Sequence, residues 1–506
     1  MPVISRAASP ETATATAPEP GRALADGRRN PTSPGSRRTL AVAVAGTLLT
    51  LVAFTVPLTT LTSTAAGLGL GGGAQAWLLS GMSLGSAVAL LASGAIGDDH
   101  GRRRTFLAGA VVLAAASVLG ALAPSALLLV GARVLQGVGG AAIVACSLGL
   151  IASAFPEGPG RARATGVWGA AIGAGVAIGP LVAGGLDVAG GWRLPYVATA
   201  IGAALLAAVG GALLRESRAR RPGRVDLAGT LLLGVALAAL LAGLIEGRSG
   251  WDRPATIGLL ALGLVAAAAF TLAERRIAAP MLDLDLFRHP DFTGATAAAL
   301  ASGAGVLSLL SLIPTLLERT MGVGAILAAV VLLAWSATSA LTALGARWLP
   351  GSVSPRAQLI GGLVGVAAGQ LALAGLTPDA SIWRLLPGML VAGAANGVLN
   401  AALGRQAVAT VPADRAAMGS GANNTARYLG SALGLTVVTV ILTHAGGSGP
   451  DGLIAGWNVA APVTAAISLA GAVLLLALRR PRLSRAGGAD PIADPPALGE
   501  SAFLED

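Results

Sequence analysis

Gly94-Ala-Ile-Gly97-Asp98-Asp99-His100-Gly101-Arg102-Arg103-Arg104 sets two acids, a glycine and an arginine triplet between the apolar runs 74–96 and 105–123. A helix needs about 20 apolar residues to cross a bilayer, and each flanking run has that length. A charged string this short between them reads as a loop joining two spanning helices. Outward from it the pattern repeats. An apolar run at 40–66 precedes the string, and 126–154, 165–186, 194–214, 227–245, 255–273, 293–316, 325–347, 357–376, 383–410, 418–443 and 457–478 follow it. That makes fourteen predicted helices in an all-α integral membrane protein.

Composition agrees. Of 506 residues 54% are hydrophobic and 11% charged, with a mean hydropathy of +0.75, whereas soluble chains carry about 25% charged residues. The 72 glycines suit helices packed closely in lipid. Cys146 is the single cysteine, so no disulfide can form and it reads as a small packing residue. With three histidines besides, no metal site and no cofactor are expected.

The net charge of +10 comes from arginine alone, there being no lysine. The arginines cluster between apolar runs, at Arg28-Arg29, Arg37-Arg38, Arg102 to Arg104, Arg161 and Arg163, Arg215 to Arg224, Arg275-Arg276, Arg288, Arg356, Arg415 and Arg479-Arg480. The intervening loops hold little beyond Arg193, Arg248, Arg253 and Arg319. This alternation is the positive-inside pattern, not a nucleic-acid-binding face, and no nucleic-acid partner is expected. It places both termini in the cytoplasm and the protein in the plasma membrane, with the lipid bilayer around it. Trp77, Trp192, Trp251, Trp383 and Trp457 fall near predicted outer ends, where an aromatic belt is expected. Residues 1–38 and 479–506 read as disordered cytoplasmic tails.

Three further strings carry polar or backbone chemistry. Arg133-Val-Leu-Gln136-Gly137-Val-Gly139-Gly140-Ala-Ala142 sets an arginine inside an apolar run, where it must face a polar interior, find a partner or snorkel to the interface. Its glycine spacing also mimics a dinucleotide fingerprint, but no strand precedes it. Gly175, Gly179-Pro180 and Gly184-Gly185 offer one bare helix face for close contact, and Pro180 removes a backbone bond and bends the helix. Asn396, Asn400, Arg405, Asn423, Asn424 and Arg427 form the densest set of polar groups in any apolar run and read as a polar network of the C-terminal half.

The string around Asp98 resembles the G-x-x-x-D-[RK]-x-G-R-[RK] loop between helices 2 and 3 of the major facilitator superfamily. Asp98, Gly101 and Arg102 match, while Asp99 stands where a basic residue is usual. The Arg133 string resembles that family's R-x-x-Q-G-x-G-x-A motif, and the Gly179-Pro180 string its antiporter signature. Gly191-Trp192-Arg193-Leu-Pro195-Tyr196 and Asp226-Leu-Ala-Gly229 look like the fourteen-span drug:proton antiporter subfamily. The resemblance spans residues 40–478. It implies a six-helix bundle at 39–214, two extra helices at 215–290 and a second bundle at 291–478.

It also implies roles: Asp98, Gly101 and Arg102 as a conformational latch; Arg133 and Asp98 in coupling, with protons as the coupled partner; and Gly175, Gly179, Pro180 and Gly184 in packing. Phe54, Trp168, Trp335 and Asn396 would line a substrate cavity, with Gln370 a weaker candidate. One departure stands out. The acid usual in the first helix of this subfamily is replaced by Ala53, and no Asp or Glu lies centrally in any predicted helix. The implied function is export of a small apolar or amphipathic compound by alternating access, as a monomer and coupled to protons. An uncoupled facilitator and a non-transporting sensor of the same fold are the alternatives. Catalytic clusters for an enzyme and a filter for a channel are both missing from the string of residues.

Overall fold

A computed structural model of the chain describes residues 33–218, 226–247, 250–277, 284–350, 352–444 and 449–478. Most of both predicted tails, part of the Arg215 to Arg224 run and Arg248 lie outside these residues. The N-terminal bundle comprises α1 (Pro34–Thr55), α2 (Pro57–Leu68), α3 (Gly72–His100), α4 (Arg102–Ala121), α5 (Ala126–Ala154), α6 (Pro159–Gly190) and α7 (Leu194–Leu213). Two helices follow, α8 (Leu227–Gly247) and α9 (Pro254–Glu274). The second bundle opens with α10 (Pro290–Ala301), a π-helical stretch Ser302–Leu307, α11 (Ser308–Leu310) and α12 (Ile313–Met321), which together make one span. It continues with α13 (Ala325–Gly345), α14 (Pro355–Ala372), α15 (Leu386–Ala409), α16 (Ala416–His444) and α17 (Pro450–Ala477).

Among the described residues, 13 helical stretches are long and apolar enough to cross a membrane. The fourteenth, α14, has 18 residues and carries Arg356, Gln358 and Gln370. These polar groups are paid for internally: Arg356 donates to the Leu475 and Leu478 carbonyls, and Gln370 Nε2 donates to Gly305 O at 2.6 Å. Gly305 lies in the π-helical stretch, where the widened turn disturbs the usual backbone pairing.

The bundles meet along two seams. In one, α3 lies against α16; in the other, α6 lies against α13 and α15. The added α8 packs on α3 and α16 beside the first seam, with α9 behind it. Small residues make the approach possible. A Cβ on Gly94 would collide with the Ala417 carbonyl, and one on Gly421 with that of Leu90.

Several helix boundaries depart from the sequence reading. The run 40–66 is two helices, because Pro57 cannot donate to the carbonyl four residues back and α1 breaks there. Pro314 similarly starts α12 after the break at Ser311 and Leu312. At the start of α1, Ser33 Oγ accepts from Ser36 N at 3.2 Å, so residues 34–38 are helical instead of belonging to a disordered tail. Trp192 and Trp457 are buried, not part of a belt; Trp457 Nε1 donates to Leu373 O at 2.9 Å.

Candidate functional site

The Asp98 string is a helix end, not a loop. α3 runs through His100, and the chain turns at Gly101, whose φ of 125° suits a residue without a Cβ. Asp98 is fully buried. Its Oδ1 accepts from Arg102 Nε at 2.7 Å and from Ala417 N at 3.1 Å, and its Oδ2 accepts from Met418 N at 2.7 Å. The two backbone donors lie at the N-terminus of α16, in the opposite bundle. Their positive dipole end favours a carboxylate there. Arg102 also donates to Gly149 O at 3.2 Å and, across the seam, to Asp414 O at 2.9 Å. Asp99 adds a second crossing, accepting from Arg415 Nη1 at 2.6 Å. The acid in the unusual position therefore joins the two halves through an ion pair of its own.

Glu216 completes this end and was not singled out in the sequence. Its carboxylate accepts from the backbone N–H groups of Arg103 and Arg104, at 2.9 and 3.3 Å, capping α4, and it lies where a Cβ on Gly101 would sit. It is hidden in a run of arginines, and only the fold brings it back beside α4.

Arg133 is fully buried, which excludes snorkelling. Its Nη1 donates to Ala53 O at 2.7 Å and Gln136 Oε1 at 2.9 Å, and its Nη2 donates to Phe54 O at 2.9 Å. Ala53 O is the carbonyl that Pro57 leaves without its helical donor, so Arg133 clamps the break between α1 and α2. Among the described residues no carboxylate lies within ion-pair distance of Arg133, so the structure does not bring it together with Asp98.

The α6 glycines face two ways. Gly175 meets Leu51 and Leu48 of α1, and Gly179 meets Thr55 and Val52, while Gly173 faces Ser336 and Ala340 of α13. Thr59 Oγ1 donates to Pro180 O at 3.1 Å, occupying the carbonyl beside the helix bend. Gly184 has only ordinary contacts, and it is not a close-approach position.

Between the bundles lies a cavity of about 1500 Å³, the space open at its mouth included. Phe54, Trp335 and Asn396 line it, as expected, together with Asn400, Arg427 and Tyr428. Trp168 does not: it is buried against Gly404, nearer the Asp98 end. Gln370 is likewise absorbed in packing, between Gly305 and Ser468. The polar network of the C-terminal half splits. Arg427 donates from Nη1 to Asn400 Oδ1 at 3.3 Å and from Nη2 to Asn424 Oδ1 at 2.7 Å. Arg405 instead pairs with Gln358, and Asn423 donates to Ala295 O at 3.1 Å, both away from that cluster. From Asn400 and Arg427 the lining climbs to Leu61 of α2 and Thr315 of α12. The Asp98 end is shut.

The family model for the Major Facilitator Superfamily matches residues 39–435. The chain belongs to the Major Facilitator Superfamily. It is 33% identical over 453 residues to the puromycin resistance protein pur8 of Streptomyces alboniger, covering 86% of this chain and 90% of that one. Over 367 residues it is 33% identical to the multidrug resistance protein Stp of Mycobacterium tuberculosis, covering 72% of this chain and 68% of that one. The fold matches the crystal structure of the human organic anion transporter MFSD10 with a TM-score of 0.63 at 18% identity, covering 88% of this chain and all of that one. This Major Facilitator Superfamily member is thus a multi-pass membrane transporter of a small molecule, not an enzyme, and its relatives are drug and antibiotic resistance and efflux proteins.

Proposed function

We propose that this protein exports a small apolar or amphipathic compound across the plasma membrane by alternating access, and that the conformation described is the outward-facing one. One observation carries the reading: the central cavity rises toward Leu61 and Thr315 while the α3/α16 seam is shut below it by Asp98, Arg102 and Asp99. The arginine-rich ends put the latch and both termini in the cytoplasm. The bundles at 39–214 and 291–478 rock about the cavity within one monomer, with 215–290 as the added pair. The printed names of relatives, puromycin resistance and cephamycin export among them, support antibiotic-like substrates.

Proton coupling enters this reading at Asp98. Its charge is held by donors from both bundles, so neutralising it loosens the seam. A second reading, transport without a proton, is favoured by a separate observation: no Asp or Glu is among the residues lining the cavity. The test is drug accumulation in cells with and without the protein, then uphill movement in vesicles with an imposed pH gradient. Equal accumulation in both strains across an antibiotic panel would refute export. Uphill movement that survives removal of the pH gradient would refute proton antiport.

A further inference from the structure

Arg427 is the one charged side chain among the residues lining the cavity, and its burial is otherwise nearly complete, at 7% exposure. A guanidinium carries five N–H donors. Two are engaged, by the amide oxygens of Asn400 and Asn424, and among the described residues Nε has no partner. None of the ion pairs among the described residues includes Arg427. Amide oxygens orient the group but do not neutralise it. A buried cation without a counter-charge is expensive, the more so where some of its donors also lack acceptors.

Arg133 offers the contrast. It is equally buried, but two carbonyls and an amide oxygen hold it outside the cavity lining. Arg427 instead meets open space, beside Tyr428, whose ring centroid lies 6.0 Å from its Cζ, and Phe54 continues the aromatic wall at 5.9 Å from Tyr428. Trp335 and Asn396 close the same chamber.

We propose that Arg427 is the recognition point for an anionic group, a carboxylate or other acidic oxygen, on an otherwise apolar aromatic substrate. This rests on the export reading and names its substrate class. The anion pairs with the guanidinium from the cavity side, on the Nη donors that Asn400 and Asn424 leave open, and the rings lie against Phe54 and Tyr428. With no acid in the lining, organic cations find no partner there. An anion leaving the cell moves down an inside-negative potential, so its export needs no proton.

The test uses matched probes, 2-naphthoate and 2-naphthylmethylammonium, bound by equilibrium dialysis to the protein in phosphatidylcholine nanodiscs. Naphthoate should bind at least about tenfold more tightly. Arg427→Gln should erase that preference, and Arg427→Lys should keep part of it. Equal affinities in the wild type, or an undiminished preference in Arg427→Gln, would overturn the assignment. The wild-type comparison and the lysine variant decide it should Arg427→Gln not fold. Phosphatidylglycerol that displaces naphthoate competitively would hand the site to a lipid headgroup and likewise overturn it. Loss of export with the anion preference intact would sink only the export reading, whereas export of cations with no anion preference would sink only this one.

Discussion

Asp98→Asn is the most direct test of the latch. The wild-type carboxylate accepts three hydrogen bonds, two of them from the backbone of α16 across the seam. An asparagine keeps one oxygen, so its amide nitrogen must face either Met418 N or the pair of Arg102 and Ala417. One charge-assisted bond is lost and a donor faces a donor. A hydrogen bond to a charged group is worth about 1.5–3 kcal/mol, and 1.4 kcal/mol is roughly a factor of ten. The balance between the closed seam and its open counterpart should therefore shift by about 10- to 100-fold toward opening. Cys146 is fully buried, so it gives a silent background for thiol labelling. A reporter Met418→Cys, buried in the seam at a 3% exposed position, keeps the backbone donor. An impermeant maleimide applied from the latch side should label it at least about tenfold faster with Asp98→Asn, while expression stays near normal and transport falls. Labelling and transport at wild-type rates would refute Asp98 as a latch.

Asp99→Ala and Arg415→Ala should each speed the same labelling, and a double-mutant cycle should return a coupling of about 1 kcal/mol for this partly buried pair; zero coupling would show that Asp99 does not bridge the halves. Gly179→Leu should abolish transport, since even a Cβ there meets Thr55 and Val52, whereas Gly185→Ala, with open space around it, should leave transport unchanged. Arg133→Lys should lower thermal stability and transport together, because one ammonium cannot reproduce the planar fork that holds both Ala53 O and Phe54 O. A fully active and stable lysine variant would show that the α1/α2 break does not need the clamp.

The helical order of this chain is written in its hydropathy, because lipid demands long uninterrupted apolar runs and charges are tolerated chiefly between them. What hydropathy does not carry is where a run bends or what a polar side chain meets. The Pro57 break lies inside one apolar run and shows only as a proline. Asp98 and Asp99 read as loop residues because charges usually mark loops, yet Met418 N at the start of α16 and Arg415 just before it hold them in a helix end. Trp168 and Trp335 are alike in sequence, each on an apolar helix, and only the facing helix decides that one packs on Gly404 and the other looks into the cavity. Arg405 on α15 reaches α14, whereas Asn423 and Arg427, one turn apart on α16, meet α10 and the cavity, and hydropathy records none of these partners.

The seam and the cavity floor share a helix, and this sets what the latch has to do. Met418 and Arg427 are nine residues apart on α16, about 14 Å along its axis. Along this stretch α16 meets α3 by close backbone approach: Gly94 against the Ala417 carbonyl, Gly421 against that of Leu90, and Thr425 Oγ1 on Ala87 O. Contacts of this kind bring backbones close, and beside them Leu90, Leu91 and Ala95 of α3 share apolar clusters with Met418, Ala422 and Tyr428 of α16. Burial of these side chains favours the closed seam whatever the charge at its end. Any dependence on charge must then come from the directional bonds at its end, which is where Asp98, Arg102, Asp99 and Arg415 are gathered. On the proposed alternating-access reading, glycines along the seam and charges at its tip therefore divide the work: the first let the backbones close, and the second make closure conditional on charge.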